Sequence, residues 1–267
     1  MDEPRRDTSD AADGLPGGSG ISRREAIKRG ALIGGTIAWA VPSVQVIRMS
    51  AAGAEAGTPS AACACTQCSA TAIGLSALGV AAGAASGNGC SCTLSVNLGI
   101  GLGSASSQTV CGKANEATCS ASALVEGLAV QVASNVLLKA SLLSSCVTCG
   151  TGSSQVAGLK LVVDLGPLGK VDVTLAVAAG CSSRVAIPTT GYSLTVNAIL
   201  ATVNSTVSIF ANEQACSGGT LTVNALRVSV LGVANVVVAQ SKSGAPGCGC
   251  TACGTSPGCT PPAAKLC

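Results

Sequence analysis

Between Lys170 and Val177 apolar and polar residues alternate, setting Val171, Val173, Leu175 and Val177 on one face and Asp172 and Thr174 on the other. A period of two over this length predicts a half-buried β-strand. Ser193 to Ile199 alternates in the same way, with Leu194, Val196 and Ala198 on one face, and Val207 and Ile209 carry the pattern on, so strands are expected there too. Glycine-rich breaks at Gly150–Gly152, Gly166–Gly169, Gly180, Gly191 and Gly218–Gly219 divide the strands. Leu124 to Leu143 is long and apolar enough for a helix, but its valines and the interruption at Gly127 favour strands. Ala70 to Gly87 is weakly polar, yet Ser76, Gly79, Gly83 and Ser86 interrupt it, which suits a sheet or loop better than a bilayer helix.

These elements predict an all-β fold, an antiparallel β-sandwich. A short unit recurs as Thr93-Leu-Ser-Val-Asn97, Ser193-Leu-Thr-Val-Asn197 and Thr220-Leu-Thr-Val-Asn224. Its spacing of 100 and then 27 residues argues against a regular solenoid. The alternative reading is a β-helix with asparagine ladders.

The 16 cysteines change the picture. All of them follow residue 62, and Cys63-Ala-Cys65-Thr-Gln-Cys68 is echoed by Cys248-Gly-Cys250-Thr-Ala-Cys253. An even count in an oxidising compartment indicates a disulfide framework of up to eight bonds. The two clusters then read as stapled ends of the β domain, with a Pro/Gly/Cys tail behind the second. A different chemistry fits the same spacing. Cys63, Cys65, Cys68, Cys248, Cys250 and Cys253 are candidate thiolate ligands for zinc, copper(I) or an iron–sulfur cluster. Cysteines spread along the whole chain, including the isolated Cys181 and Cys216, favour crosslinking over one metal cluster. Cys146 and Cys149 form a C-x-x-C, without the βαβ setting of a thioredoxin-like redox site.

The compartment is read from the other end. Ser22-Arg23-Arg24-Glu25-Ala26-Ile27-Lys28 precedes an apolar run from Gly30 to Ile47 and resembles a bacterial twin-arginine export signal. Ala54-Glu55-Ala56 offers a small-x-small cleavage site and a mature start near Gly57. The expected organisation is a signal peptide over 1–56, a Cys-rich segment over 57–69, a β-rich domain over 70–244 and a Cys/Pro/Gly-rich tail over 245–267. The twin-arginine translocase is the implied partner during export, and membrane attachment follows only if the signal stays uncleaved.

Charge and composition remove several functions. The part after residue 56 carries eight basic and five acidic residues spread singly, a net charge of +3 with no basic patch, which argues against nucleic-acid binding. The chain has no histidine, which removes Ser-His-Asp and Cys-His nucleophile systems and the usual zinc hydrolase site. The nearest approach to a carboxylate pair is Asp164 and Asp172, which the strand pattern turns toward solvent. The mature part has two aromatics, Tyr192 and Phe210, so its core must be built from Val, Leu, Ala and Ile.

Asn212-Glu213-Gln214, then Leu221-Thr-Val-Asn-Ala-Leu226-Arg-Val-Ser-Val, then Val236-Val-Val-Ala-Gln-Ser-Lys-Ser resembles the end of the choice-of-anchor P proteins, which are secreted or surface-attached proteins of actinobacteria. The resemblance spans Ala70 to Gly244 loosely and Thr189 to Gly244 best. It implies a β-rich extracellular domain and supplies no catalytic residues. The expectation is a non-enzymatic, disulfide-stapled protein of the cell envelope or medium that needs no cofactor, has a structural or interaction role and an envelope or extracellular partner, and has strands able to self-associate. The alternative is a thiolate metal-binding protein exported in folded form.

Overall fold

A computed structural model describes residues 65–75, 80–99, 104–178, 180–231, 234–246, 249–254, 259–264 and 266–267. The export motif at Arg23 and Arg24 and the cleavage site at Ala54 and Ala56 lie outside the described residues. Strands β1 (Gln67–Leu75) and β2 (Val80–Ser86) pair first, and the chain then crosses into a second sheet. That sheet is built in one pass from β3 (Cys90–Gly99), β4 (Ser104–Asn115), β5 (Ser120–Ala133), β6 (Val136–Thr148), β7 (Thr151–Ala157), β8 (Lys160–Asp164) and β9 (Lys170–Thr174). The chain returns through β10 (Ser183–Arg184) and helix α1 (Leu194–Thr206) to β11 (Val207–Ser217), β12 (Thr220–Val230) and β13 (Ala234–Gly244).

The first sheet has the order β10-β11-β12-β13-β1-β2, and the second β3-β4-β5-β6-β8-β9, with β7 paired to the other half of β6. Every ladder is antiparallel, so the fold is the all-β sandwich, and the stacked parallel coils of a β-helix are excluded. The strands open at Gln67 and close at Gly244. β1 packs across β4 and β5, and β13 across β5 and β6, with Ile73, Val125, Leu128, Leu138, Leu143, Leu226 and Val238 in the space between.

Each sheet contains one transverse row where inward and outward faces exchange. In the first sheet, Thr71↔Gln240 and Ile73↔Val238 bracket the unpaired rung of Ala72 and Ala239. The same gap continues through Asn212, Ala225 and Gly83 on β11, β12 and β2. In the second sheet it runs through Ser95, Gln108, Gly127 and Ser141. Alternate strands take a left-handed residue in this row: Asn212 (φ 48°), Ala239 (φ 49°) and Gly83 (φ 61°) in one sheet, Ser95 (φ 57°) and Gly127 (φ 62°) in the other. A left-handed residue turns the pleat over without changing the register. β1 therefore buries Ala70 and Ala72, then Ile73 and Leu75. β5 buries Ala121, Ala123 and Val125, then Leu128, Val130 and Val132.

The sheets come closest where β1 and β2 face β4. Gly83 and Gly112 stand there backbone to backbone among Ala70, Ala72 and Ala114. A Cβ on Gly83 would lie 2.9 Å from that of Ala72 and 3.2 Å from the Val110 carbonyl carbon. Small residues are required at this corner, and their abundance follows from it.

The reading of Ser193 to Ile199 as a strand is overturned. Leu194 opens α1, and the buried residues Val196, Leu200 and Val203 recur at helical spacing against the main core, with α1 packed on β11. The apparent alternation ends with Ile199, whereas the helical period of buried residues continues through Leu200 to Val203. Leu194 is 86% exposed, so Leu194, Val196 and Ala198 do not share a buried face. The recurring five-residue unit is consequently no structural repeat. It lies in β3, at the start of α1 and in β12. The strand reading at 124–143 holds, and that at 170–177 holds over Lys170–Thr174, where β9 ends, with Val173 fully buried and Leu175 following it into the core. The Gly218-Gly219 break is the β11–β12 hairpin, with both φ angles positive (58° and 80°), as a tight hairpin turn of right-handed strands requires.

Replacing Gly83 with Ala adds a methyl group at a closed corner and at a positive φ. The expected loss of stability is about 1–3 kcal/mol. Gly249→Ala, which meets nothing within 4 Å, is expected to be near neutral. Guanidinium denaturation of the two variants checks the contrast.

Candidate functional site

The cysteines gather at one end of the sandwich. It is the end marked by the start of β1, the β4–β5 and β6–β7 turns, the β11–β12 hairpin and the end of β13. Six disulfides are formed among the described residues: Cys65–Cys119, Cys90–Cys267, Cys92–Cys111, Cys146–Cys259, Cys181–Cys253 and Cys216–Cys250. The framework read from the sequence is therefore present. The expected eight bonds are not all seen, because Cys68 and Cys149 are unpaired and Cys63 and Cys248 lie outside the described residues.

Four of the six bonds hold the tail after β13. Cys250 and Ala252 cap a small second core of Val147, Leu221 and Val223, and the Thr251 N–H donates to Gly150 O at 2.9 Å. Cys216 and Cys181 fix this stretch to β11 and to the connection before β10. The tail then reaches the outer face of the second sheet. Its anchors Cys146 and Cys90 stand on one register row, Cys146–Ser122–Lys113–Cys90, so the segment from Cys259 to Cys267 crosses four strands. Ser153 Oγ donates to Cys259 O at 2.9 Å beside the first anchor. The tail has no core of its own and is held as a strap.

Asn212-Glu213-Gln214 supplies the polar part of this framework. The left-handed Asn212 accepts from Ser154 Oγ at 2.8 Å and donates through Nδ2 to Gly180 O at 3.0 Å. Gln214 Oε1 accepts from the Cys253 N–H at 2.9 Å, and its Nε2 donates to Gly152 O at 3.3 Å. Glu213 receives Arg227 Nε at 3.0 and 2.9 Å on its two oxygens, and Asn224 Nδ2 at 2.9 Å. Gln240 Nε2 continues the line to Asn224 Oδ1 at 2.8 Å, and the Arg227 guanidinium lies 4.3 Å from the Phe210 ring centre. Each of these groups bonds within the protein, which makes the stretch a positioning device.

The four thiolate candidates among the described residues are not brought into one cluster. Cys250 and Cys253 are bonded to Cys216 and Cys181, and Cys63 and Cys248 fall outside the described residues. Cys65 and Cys68 instead meet Cys119, the three sulfurs lying within 4.8 Å of one another. Cys65 is bonded to Cys119, and the Cys68 sulfur stands 3.1 Å from that of Cys65. Cys119 was beyond the reach of spacing arguments, since 54 residues and a change of sheet separate it from Cys65. The Cys146/Cys149 C-x-x-C is divided by its surroundings: Cys146 is buried and bonded to Cys259, while Cys149 is exposed in the following turn. Burial pushes the Cys68 thiol above its usual range, partly opposed by its hydrogen bond to Asn115 O.

Asp164 and Asp172 face solvent, as the alternation indicated, and each has a lysine partner. Lys170 Nζ lies 3.2 Å from Asp164, and Lys160 pairs with Asp172. The Gly166 N–H, donating at 2.9 Å, and then Lys170 hold the Asp164 carboxyl below its ordinary range. The shallow groove on the first sheet is lined by Thr71, Gly74, Leu75, Val80, Ala81, Val237 and Gln240, with no titratable side chain among them. No helix of the described residues is long and apolar enough to cross a membrane. Compared with family models, curated proteins and solved structures, the chain finds no match.

Removing the Cys146–Cys259 bond by a double Cys→Ser change is expected to lower stability by about 2–4 kcal/mol. Cleavage of the tail between Cys253 and Cys267 should become the first event in limited proteolysis. Denaturation curves and mapped early fragments check both.

Proposed function

We propose that this is an exported, non-enzymatic protein of the cell envelope or extracellular space, with a structural or interaction role. The observation that carries this reading is the tail, a segment without a core held to both sheets by four disulfides. Bonds of this kind persist in an oxidising compartment and not in the reducing cytosol. The twin-arginine-like motif at Arg23 and Arg24 points the same way, and the resemblance of Thr189 to Gly244 to the choice-of-anchor P proteins agrees with it. A catalytic role has little to draw on. The chain has no histidine, Asp164 and Asp172 are each paired with a lysine, and the groove on the first sheet holds no titratable side chain. What remains for function is the rigid exposed surface and its attachment to a partner outside the cytoplasm.

The experiment is the intact mass of the protein recovered from the medium or envelope of a producing cell, before and after reduction with alkylation. A chain starting near Gly57, with the tail linkages intact, is expected. A full-length chain confined to the cytosol with its cysteines alkylated before reduction would overturn the reading.

A further inference from the structure

Cys65, Cys68, Cys119 and Cys149 form a group of which the stapling role uses only the Cys65–Cys119 bond, leaving two thiols. Cys65 and Cys68 lie at the start of β1 in the first sheet, and Cys119 and Cys149 lie on two turns of the second. The Cys68 thiol is buried under the β4–β5 turn, with the carbonyls of Asn115 and Ser120 each 3.5 Å from its sulfur. These contacts hold it 3.1 Å from Cys65, one half of the Cys65–Cys119 bond. Cys149 is exposed, and its N–H donates to Cys119 O at 3.0 Å, one rung beyond the Ser120↔Thr148 pair. Cys119 and Cys149 are thus neighbours across the two turns, joined by this backbone hydrogen bond. The same sheet already carries a disulfide between directly opposed residues, Cys92 and Cys111, with Cα atoms 4.1 Å apart.

We propose that these four cysteines are a thiol–disulfide exchange centre that takes an external disulfide. The exposed Cys149 thiolate attacks the external S–S bond, forming a mixed disulfide and releasing one thiol. The Cys68 sulfur attacks Cys65, so that a Cys65–Cys68 bond forms, the Cys65–Cys119 bond breaks, and its electron pair leaves on Cys119 with the proton given up by Cys68. Cys119 then attacks the mixed disulfide at Cys149, closing Cys119–Cys149 and expelling the second thiol. The Cys68 and Cys149 thiols are oxidised by two electrons, and the external disulfide is reduced to two thiols. The tie between β1 and the opposite sheet is replaced by two bonds, one within each sheet. The result is a redox-set tie between the two sheets at this end of the sandwich.

The test uses the full chain purified without reductant and incubated with oxidised glutathione, then alkylated and digested without reduction. Expected are Cys65–Cys68 and Cys119–Cys149 peptides, loss of the Cys68 and Cys149 thiols to alkylation, and the other five disulfides of the described residues unchanged. The same two bonds found at isolation count equally. Cys68→Ser is expected to stop with glutathione on Cys149 and Cys65–Cys119 intact. Cys149→Ser is expected to take up no more than one glutathione and to form no Cys119–Cys149 bond, and circular dichroism confirms that both variants fold. Wild-type protein that keeps Cys65–Cys119 with glutathione fixed on Cys149 would overturn the proposal. So would Cys68 or Cys149 found joined to each other, to Cys63 or to Cys248.

Discussion

The close approach of the two sheets between β1, β2 and β4 governs much of the rest. Gly83 and Gly112 meet there almost backbone to backbone, and Ala70, Ala72 and Ala114 complete the corner. A sandwich that tight has no space for aromatic side chains along this line, and the core is filled by valine, leucine and alanine. Each of those side chains removes less apolar area from water than an aromatic would, at about 25 cal/mol per Å². The deficit is offset covalently. The disulfides stand where the sandwich is open at its end, and they restrict the unfolded chain without needing interior volume.

The face-exchange row shows why parts of this architecture were legible in the sequence and others were not. Where a strand keeps one phase, as Lys170 to Thr174 does, alternation located it correctly. Where the phase slips at a left-handed residue, the apolar positions read as a nearly continuous run. Ala225-Leu226 and Val238-Ala239 are adjacent buried pairs of that kind. Leu124 to Leu143 resembled a helix for a related reason, with Gly127 turning the pleat and the covered outer face burying Leu124 as well. In α1 the error ran the other way. Seven residues of accidental alternation hid a helix whose period shows only when Leu200 and Val203 are included. Period-two patterns report one face of one strand, and they fail where the chain changes face or continues into another element.

The cysteine framework was legible in kind but not in pairing. The even count and the paired clusters at 63–68 and 248–253 suggested staples at both ends of the domain, and Cys65, Cys250 and Cys253 do serve in that way. Their partners Cys119, Cys216 and Cys181 are set by which turns the topology brings to the same end, and local spacing carries none of that. The Asn212-Glu213-Gln214 stretch was visible as a motif, while its work of joining β7, β11, β12 and the tail emerges only from the fold.

The bonds that close this end also set how the protein would carry a pull. A force applied between Cys65 and Cys267 has a short covalent route. It passes through Cys65–Cys119, along the end of β4 to Cys111, across to Cys92, and from Cys90 to Cys267. Only the far end of β4, the turn beyond it and the first residues of β3 lie in that route. Apart from those short stretches, the hydrogen-bonded ladders of both sheets stand outside the load path, so tension along the chain would stretch sulfur bridges before it sheared the remaining strands.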